Sequence, residues 1–128
     1  MPMNIGIIGL GLIGGSAAKA ISAYTGHRVY AMDRDEKVMD EALACGAIKG
    51  RLSPERLEEC HVVFLALYPK AALKWAEVHW RNIKKGAVLV DFCGVKRAVV
   101  PRLSQLAGEG GFLYLGGHPI KLRTQALN

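Results

Sequence analysis

Short apolar runs alternate along this chain with longer amphipathic stretches. Strand-like runs fall at about residues 4–8 and 28–32, then at His61–Leu67, Ala87–Asp91 and Phe112–Leu115. Helical periodicity fills the gaps, at about 11–24, 35–44, Pro69–Ile83 and Ala98–Leu106. Thr25-Gly26, Cys45-Gly46 and Lys84-Lys85-Gly86 supply the stops. Ser53-Pro54 reads as an N-cap followed by a first-turn proline, and Ala47-Ile48 as a short strand. The uninterrupted apolar character of Val62–Leu67 and Ala87–Val90 is that of strands covered on both faces. Strand–helix alternation of this kind predicts an α/β fold with a doubly wound, mainly parallel sheet, helices on both faces and right-handed crossovers.

One junction carries specific chemistry. The first strand runs straight into Gly9-Leu10-Gly11-Leu12-Ile13-Gly14, and a helix opens at once. Asp33 closes the next strand. Glycines at a strand–turn–helix junction, with an acid at the end of the following strand, form the Rossmann-type dinucleotide fingerprint. Gly9 permits the turn, and Gly11 has no Cβ to hold off a pyrophosphate. The amides around Leu12 and Ile13 face the phosphates from a helix N-terminus, and Gly14 lets that helix pack on the strand. An acid at position 33 accepts hydrogen bonds from ribose hydroxyls and repels a 2′-phosphate, which favours NAD over NADP. Arg34 works the other way if it pairs with such a phosphate; it fits equally well over adenine or in solvent. The carboxyl ends of the later strands add Leu67, Tyr68 and Pro69, the block Asp91–Lys96, and Gly116–Pro119.

Composition narrows the picture. The 128 residues suffice for one domain, and 51% hydrophobic against 22% charged residues excludes a disordered chain. The longest apolar stretch is too short and glycine-rich to span a bilayer. Met1-Pro2-Met3-Asn4 lacks the basic segment of a signal peptide. Cys45, Cys60 and Cys93 have no metal-ligand spacing, so no metal is expected, and they suit a reducing cytoplasm. The formal charge of +6 comes from lysines and arginines scattered along the chain without interleaved aromatics. That is the pattern of a solvated surface, not of a nucleic-acid groove.

Four blocks together resemble the prephenate/arogenate dehydrogenase family. They are Ile7–Ser16 with its Gly-Leu-Ile-Gly-Gly-Ser core, Asp33-Arg34-Asp35, Asp91-Phe92-Cys93-Gly94-Val95-Lys96, and Gly116-Gly117-His118-Pro119. The first is widespread among dinucleotide enzymes; the four in this order are far more specific. The resemblance implies oxidative decarboxylation of prephenate, or of arogenate, in tyrosine biosynthesis. It makes His118 the residue that hydrogen-bonds the ring hydroxyl and helps remove its proton, a role suited to an imidazole. It places Leu67, Tyr68, Pro69 and Cys93 beside the cofactor, and Gly94 and Lys96 beside the substrate. Members often carry serine at the position of Gly94, so that hydroxyl contact is missing or replaced here. Cys93 also fits a buried, inert thiol, and Lys96 a solvated helix start. The other histidines, His27, His61 and His79, read as structural.

The resemblance covers about residues 4–119 and then stops. Members continue from His-Pro into Met-Ala-Gly, further strands and a helical domain that grips the substrate and forms the dimer. This chain reads Ile120–Asn128 instead. A shortened reading frame, a shifted frame and an engineered boundary all fit that tail. The expected organisation is a dinucleotide-binding domain over 1–119 and an atypical tail over 120–128. The expected behaviour is cofactor binding with little or no turnover, and self-association through uncovered apolar surface. Two other readings compete: another β-hydroxyacid or imino-acid dehydrogenase-like enzyme, and a non-catalytic module that senses NAD(H).

Overall fold

The computed structural model describes residues 1–92 and 99–116. The chain begins with β1 (Asn4–Ile8), α1 (Leu12–Tyr24), β2 (Arg28–Met32), α2 (Glu36–Ala44), β3 (Gly50–Arg51) and α3 (Pro54–Leu57). It continues with β4 (Val62–Leu65), α4 (Pro69–His79), a 3₁₀ turn (Trp80–Asn82), β5 (Val88–Asp91), α5 (Val100–Gly110) and β6 (Leu113–Leu115). The six strands form one sheet in the order β3-β2-β1-β4-β5-β6, and every pairing is parallel. This is the Rossmann order, and it reverses between β1 and β4.

Both faces of the sheet are packed. On one, Ile5, Ile7, Val29 and Ala31 meet Ala18 of α1 and Met39 of α2. On the other, Val63, Leu65 and Leu89 meet Ala72 and Trp75 of α4 and Leu103 and Leu106 of α5. Neighbouring strand residues point to opposite faces, which is why Ile7 and Ile8 belong to different clusters.

The caps follow the local chemistry. Ser53 Oγ accepts from the Arg56 amide at 3.2 Å, with Pro54 next to it at the helix start. Thr25 ends α1, its hydroxyl donating to the Ile21 carbonyl at 2.6 Å. Ala47-Ile48 is not a strand. Both residues are buried, but their amides turn back to the Ala42 carbonyl at 3.0 and 3.3 Å and close the end of α2. Ladder pairing therefore starts later, and the strand falls at Gly50–Arg51. Two helix ends also move. The α-helix from Pro69 gives way to the 3₁₀ turn at Trp80, and α5 runs on to Gly110 because left-handed Gly111 (φ 75°), not Gly108, stops it. No helix among the described residues is long and apolar enough to cross a membrane.

The histidines at the strand starts are tied to the backbone. His27 Nδ1 accepts the Met3 amide at 2.9 Å, and His61 Nδ1 accepts the Asn4 amide at 3.1 Å. His79 packs on Trp75, ring centres 4.8 Å apart, and burial lowers its pKa. Cys60 is fully buried, and desolvation pushes its thiol up to about 11. The thiolate is the reactive form, so at pH 8 a thiol reagent is expected to modify exposed Cys45 quickly and Cys60 only on unfolding. Peptide mass mapping checks this; labelling of Cys60 at a rate like that of Cys45 contradicts the packing described.

Candidate functional site

The crevice outside the carboxyl ends of β1 and β4 lies where the strand order reverses, and such crevices hold ligands in open α/β sheets. The turn from β1 into α1 forms its floor. Gly9 has φ +94°, and a Cβ there would lie 2.5 Å from the Ala66 carbonyl oxygen and 2.8 Å from Leu67 Cδ2. A Cβ on Gly14 would overlap the Gly9 carbonyl oxygen. Both positions therefore exclude every side chain by packing, and at Gly9 the left-handed backbone is a second reason. Gly11 differs: nothing lies within 4 Å of where its Cβ would be. Its missing side chain leaves open space at the mouth of α1.

That open space faces unsatisfied donors. Gly11 caps α1 without a side-chain hydrogen bond, and no acid stands in the first turn. By contrast, Asp35 caps α2 by accepting from the Lys37 and Val38 amides, and Ser53 caps α3. Leu12 and Ile13, 88% and 46% exposed, extend from the first turn and leave it accessible. A helix start with free amides and its positive dipole end favours an anion.

Asp33 stands next to this turn. Its Oδ2 accepts the Leu10 amide at 2.7 Å, and its Oδ1 accepts the Asp35 amide at 2.8 Å. The Gly9 amide donates to the Met32 carbonyl at 2.8 Å, so two successive amides tie the turn to the end of β2. Arg34 is exposed and makes no ion pair among the described residues. Across the crevice, Leu67 reaches Gly9, Tyr68 is 87% exposed, and Pro69 occupies the first turn of α4. The structure thus brings Gly9, Gly11, Leu12, Ile13, Gly14, Asp33, Arg34, Leu67, Tyr68 and Pro69 to one edge of the sheet. His118, Cys93, Gly94 and Lys96 lie outside the described residues.

Two features escape a reading of the sequence. Asp33 is a structural acceptor as well as a site residue; a carboxylate two residues before an amide hints at the Asp35 contact, but nothing local announces the one to Leu10. Asp91 ends β5 fully buried and accepts a hydrogen bond from the Tyr114 hydroxyl at 3.1 Å. Among the described residues, no cluster of His, Cys, Asp or Glu could hold a metal ion.

An open glycine, uncapped amides and a carboxylate beside them suit a nucleotide ligand. Fold and site together define a Rossmann-type nucleotide-binding domain. The family model for the prephenate dehydrogenase nucleotide-binding domain matches residues 17–121, and the chain belongs to that family.

Solved structures agree on the fold. A 3-hydroxyisobutyrate dehydrogenase from Mycobacterium tuberculosis superimposes with a TM-score of 0.78 at 24% identity, over 91% of this chain and 40% of that one. Prephenate dehydrogenase from A. aeolicus, solved with hydroxyphenyl propionate and NAD+, gives 0.73 at 24% identity, over 91% and 41%. Synechocystis arogenate dehydrogenase gives 0.75 at 27% identity, over 81% and 37%. The chain therefore spans about two-fifths of these enzymes. It is also 30% identical over 114 residues to a reducing polyketide synthase, DEP5, from Fusarium langsethiae, but spans only 5% of that protein.

The two kinds of glycine make separable predictions. Gly14→Ala forces the turn apart and is expected to cost about 1–3 kcal/mol of stability, the usual range for overpacking. Gly11→Ala meets no protein atom, so its stability is expected to stay within about 1 kcal/mol of the parent while dinucleotide binding weakens. Denaturant unfolding beside calorimetric titration separates the two; equal stability losses contradict the geometry.

Proposed function

We propose that this chain binds NAD, in preference to NADP, as the cofactor-binding part of an oxidative decarboxylation of prephenate or arogenate. The observation that carries the proposal is the open glycine turn at α1 with the Asp33 carboxylate beside it. The Leu12 and Ile13 amides hold the pyrophosphate, Asp33 takes the adenosine ribose hydroxyls, and Leu67, Tyr68 and Pro69 flank the cofactor from β4. When bound, the cofactor supplies a hydride acceptor. A negative charge at Asp33 opposes the 2′-phosphate of NADP; Arg34, exposed and adjacent, is the residue that would soften that preference.

The substrate side of the reading rests on the family. His118 accepts the proton of the ring hydroxyl, Lys96 holds a substrate carboxylate, Gly94 leaves room beside it, and Cys93 lines the cofactor side of the pocket. In this reading residues 1–119 are the cofactor-binding domain and 120–128 are a tail outside it. Productive catalysis also needs groups that grip the substrate carboxylates and exclude water. Self-association belongs to the same reading: β6, the outermost strand among the described residues, carries Leu113 and Leu115, 61% and 56% exposed, with no charged residue between them.

Calorimetric titration of the 128-residue chain is expected to give a clear NAD isotherm and a weaker NADP one, with little or no prephenate-dependent NADH formation. Tighter binding of NADP, or no binding of either, overturns the cofactor assignment, and rapid NADH production overturns the requirement for further substrate-binding groups. Light scattering at high concentration is expected to show species above the monomer mass; a strict monomer contradicts the role given to β6.

A further inference from the structure

We propose that Asp33 is a positioning residue for the pyrophosphate turn, so that ribose recognition and phosphate binding are coupled through one carboxylate. This rests on the cofactor reading above and extends it, because ribose contact alone requires nothing of Asp33 when no nucleotide is bound. In the structure both oxygens are already engaged by the backbone. Oδ2 holds the Leu10 amide at 2.7 Å, between Gly9 and Gly11, and Oδ1 holds the Asp35 amide at 2.8 Å.

The two contacts link two helices. Leu10 is the residue at which the chain leaves β1 for α1, and Leu10 itself is buried. Asp35 caps α2, its Oδ1 accepting the Lys37 amide at 3.0 Å and the Val38 amide at 3.3 Å. Asp33 therefore fixes the entrance of α1 against the entrance of α2. An ionised carboxylate has about four acceptor positions, so two remain for ribose hydroxyls after both amides are satisfied. No other side chain of this length does this. Asparagine offers one oxygen and would set its amide group against one of the two N–H donors.

The consequence concerns cofactor choice. Replacing Asp33 to admit a 2′-phosphate also releases the turn that must hold the pyrophosphate, so the change weakens both dinucleotides instead of exchanging one for the other.

The test uses a ligand with no ribose. Inorganic pyrophosphate is titrated into wild-type chain, Asp33→Ala and Asp33→Asn, following amide signals of Gly9–Ile13 by NMR, and NAD is titrated in parallel. Deleting a negative charge beside an anion site strengthens anion binding if electrostatics act alone. A positioning role predicts the opposite sign: pyrophosphate binding weaker by about fivefold in Asp33→Ala, roughly one net hydrogen bond, with a smaller loss in Asp33→Asn. Hydrogen exchange at the Leu10 amide is expected to quicken by at least the same factor, while amides in β4 and β5 keep their protection and report an intact fold.

Unchanged or tighter pyrophosphate binding with only NAD weakened assigns Asp33 to ribose alone and overturns the inference. Unaltered Leu10 exchange overturns it as well. If the wild-type chain binds neither ligand, the cofactor reading fails, and the Leu10 exchange still decides the positioning role. Should Asp33→Ala fail to fold, Asp33→Asn carries the same comparisons.

Discussion

The close approach of α1 to β1 is the constraint on which the rest of this structure depends. The Gly9 carbonyl and the Gly14 α-carbon are so near that no side chain fits between them, and Gly9 is pressed on its other side by Ala66 and Leu67. This contact does two things at once. It seats the helix low on the sheet, where Ala18 is buried against β1 and β2. It also aims the uncapped first turn of that helix across the carboxyl edge, at the point where β1 and β4 part. The packing of α1 and the placing of its first turn thus have a common origin, on which a methyl group at Gly14 would press directly.

The other site elements are placed by the sheet. Because β2 and β4 flank β1 in parallel, their carboxyl ends rise on either side of the turn. Asp33 arrives on one side and Leu67-Tyr68-Pro69 on the other, without any of them being near in sequence. Their burial grades sensibly: Asp33 is half-buried and held by amides, while Arg34 and Tyr68 stand in solvent. A polar carboxylate so close to the core keeps its place because both of its oxygens have partners. Asp91, fully buried at the end of β5, has its Oδ2 engaged by the Tyr114 hydroxyl.

Much of this was legible in the chain itself, and for identifiable reasons. The strands of the sheet centre are continuous apolar runs, Ser53 caps its helix, and the glycine spacing is dictated by one geometry. Ala47-Ile48 reads as a strand because both residues are apolar, but burial and not ladder pairing makes them so; their amides serve the end of α2. The sequence pattern ends this helix near Leu106, whereas the left-handed turn that stops α5 falls at Gly111. The bond from Leu10 to Asp33 was out of reach altogether, since it joins residues brought together only by strand pairing. His118, Cys93, Gly94 and Lys96 lie outside the described residues.

A crystal of the 128-residue chain grown with oxidised NAD tests the account at its root. The expected result is pyrophosphate density within hydrogen-bond distance of the Leu12 and Ile13 amides, directly over Gly11, with the adenosine ribose on Asp33. A nucleotide bound elsewhere on the chain, or a filled and blocked turn at Gly11, contradicts it.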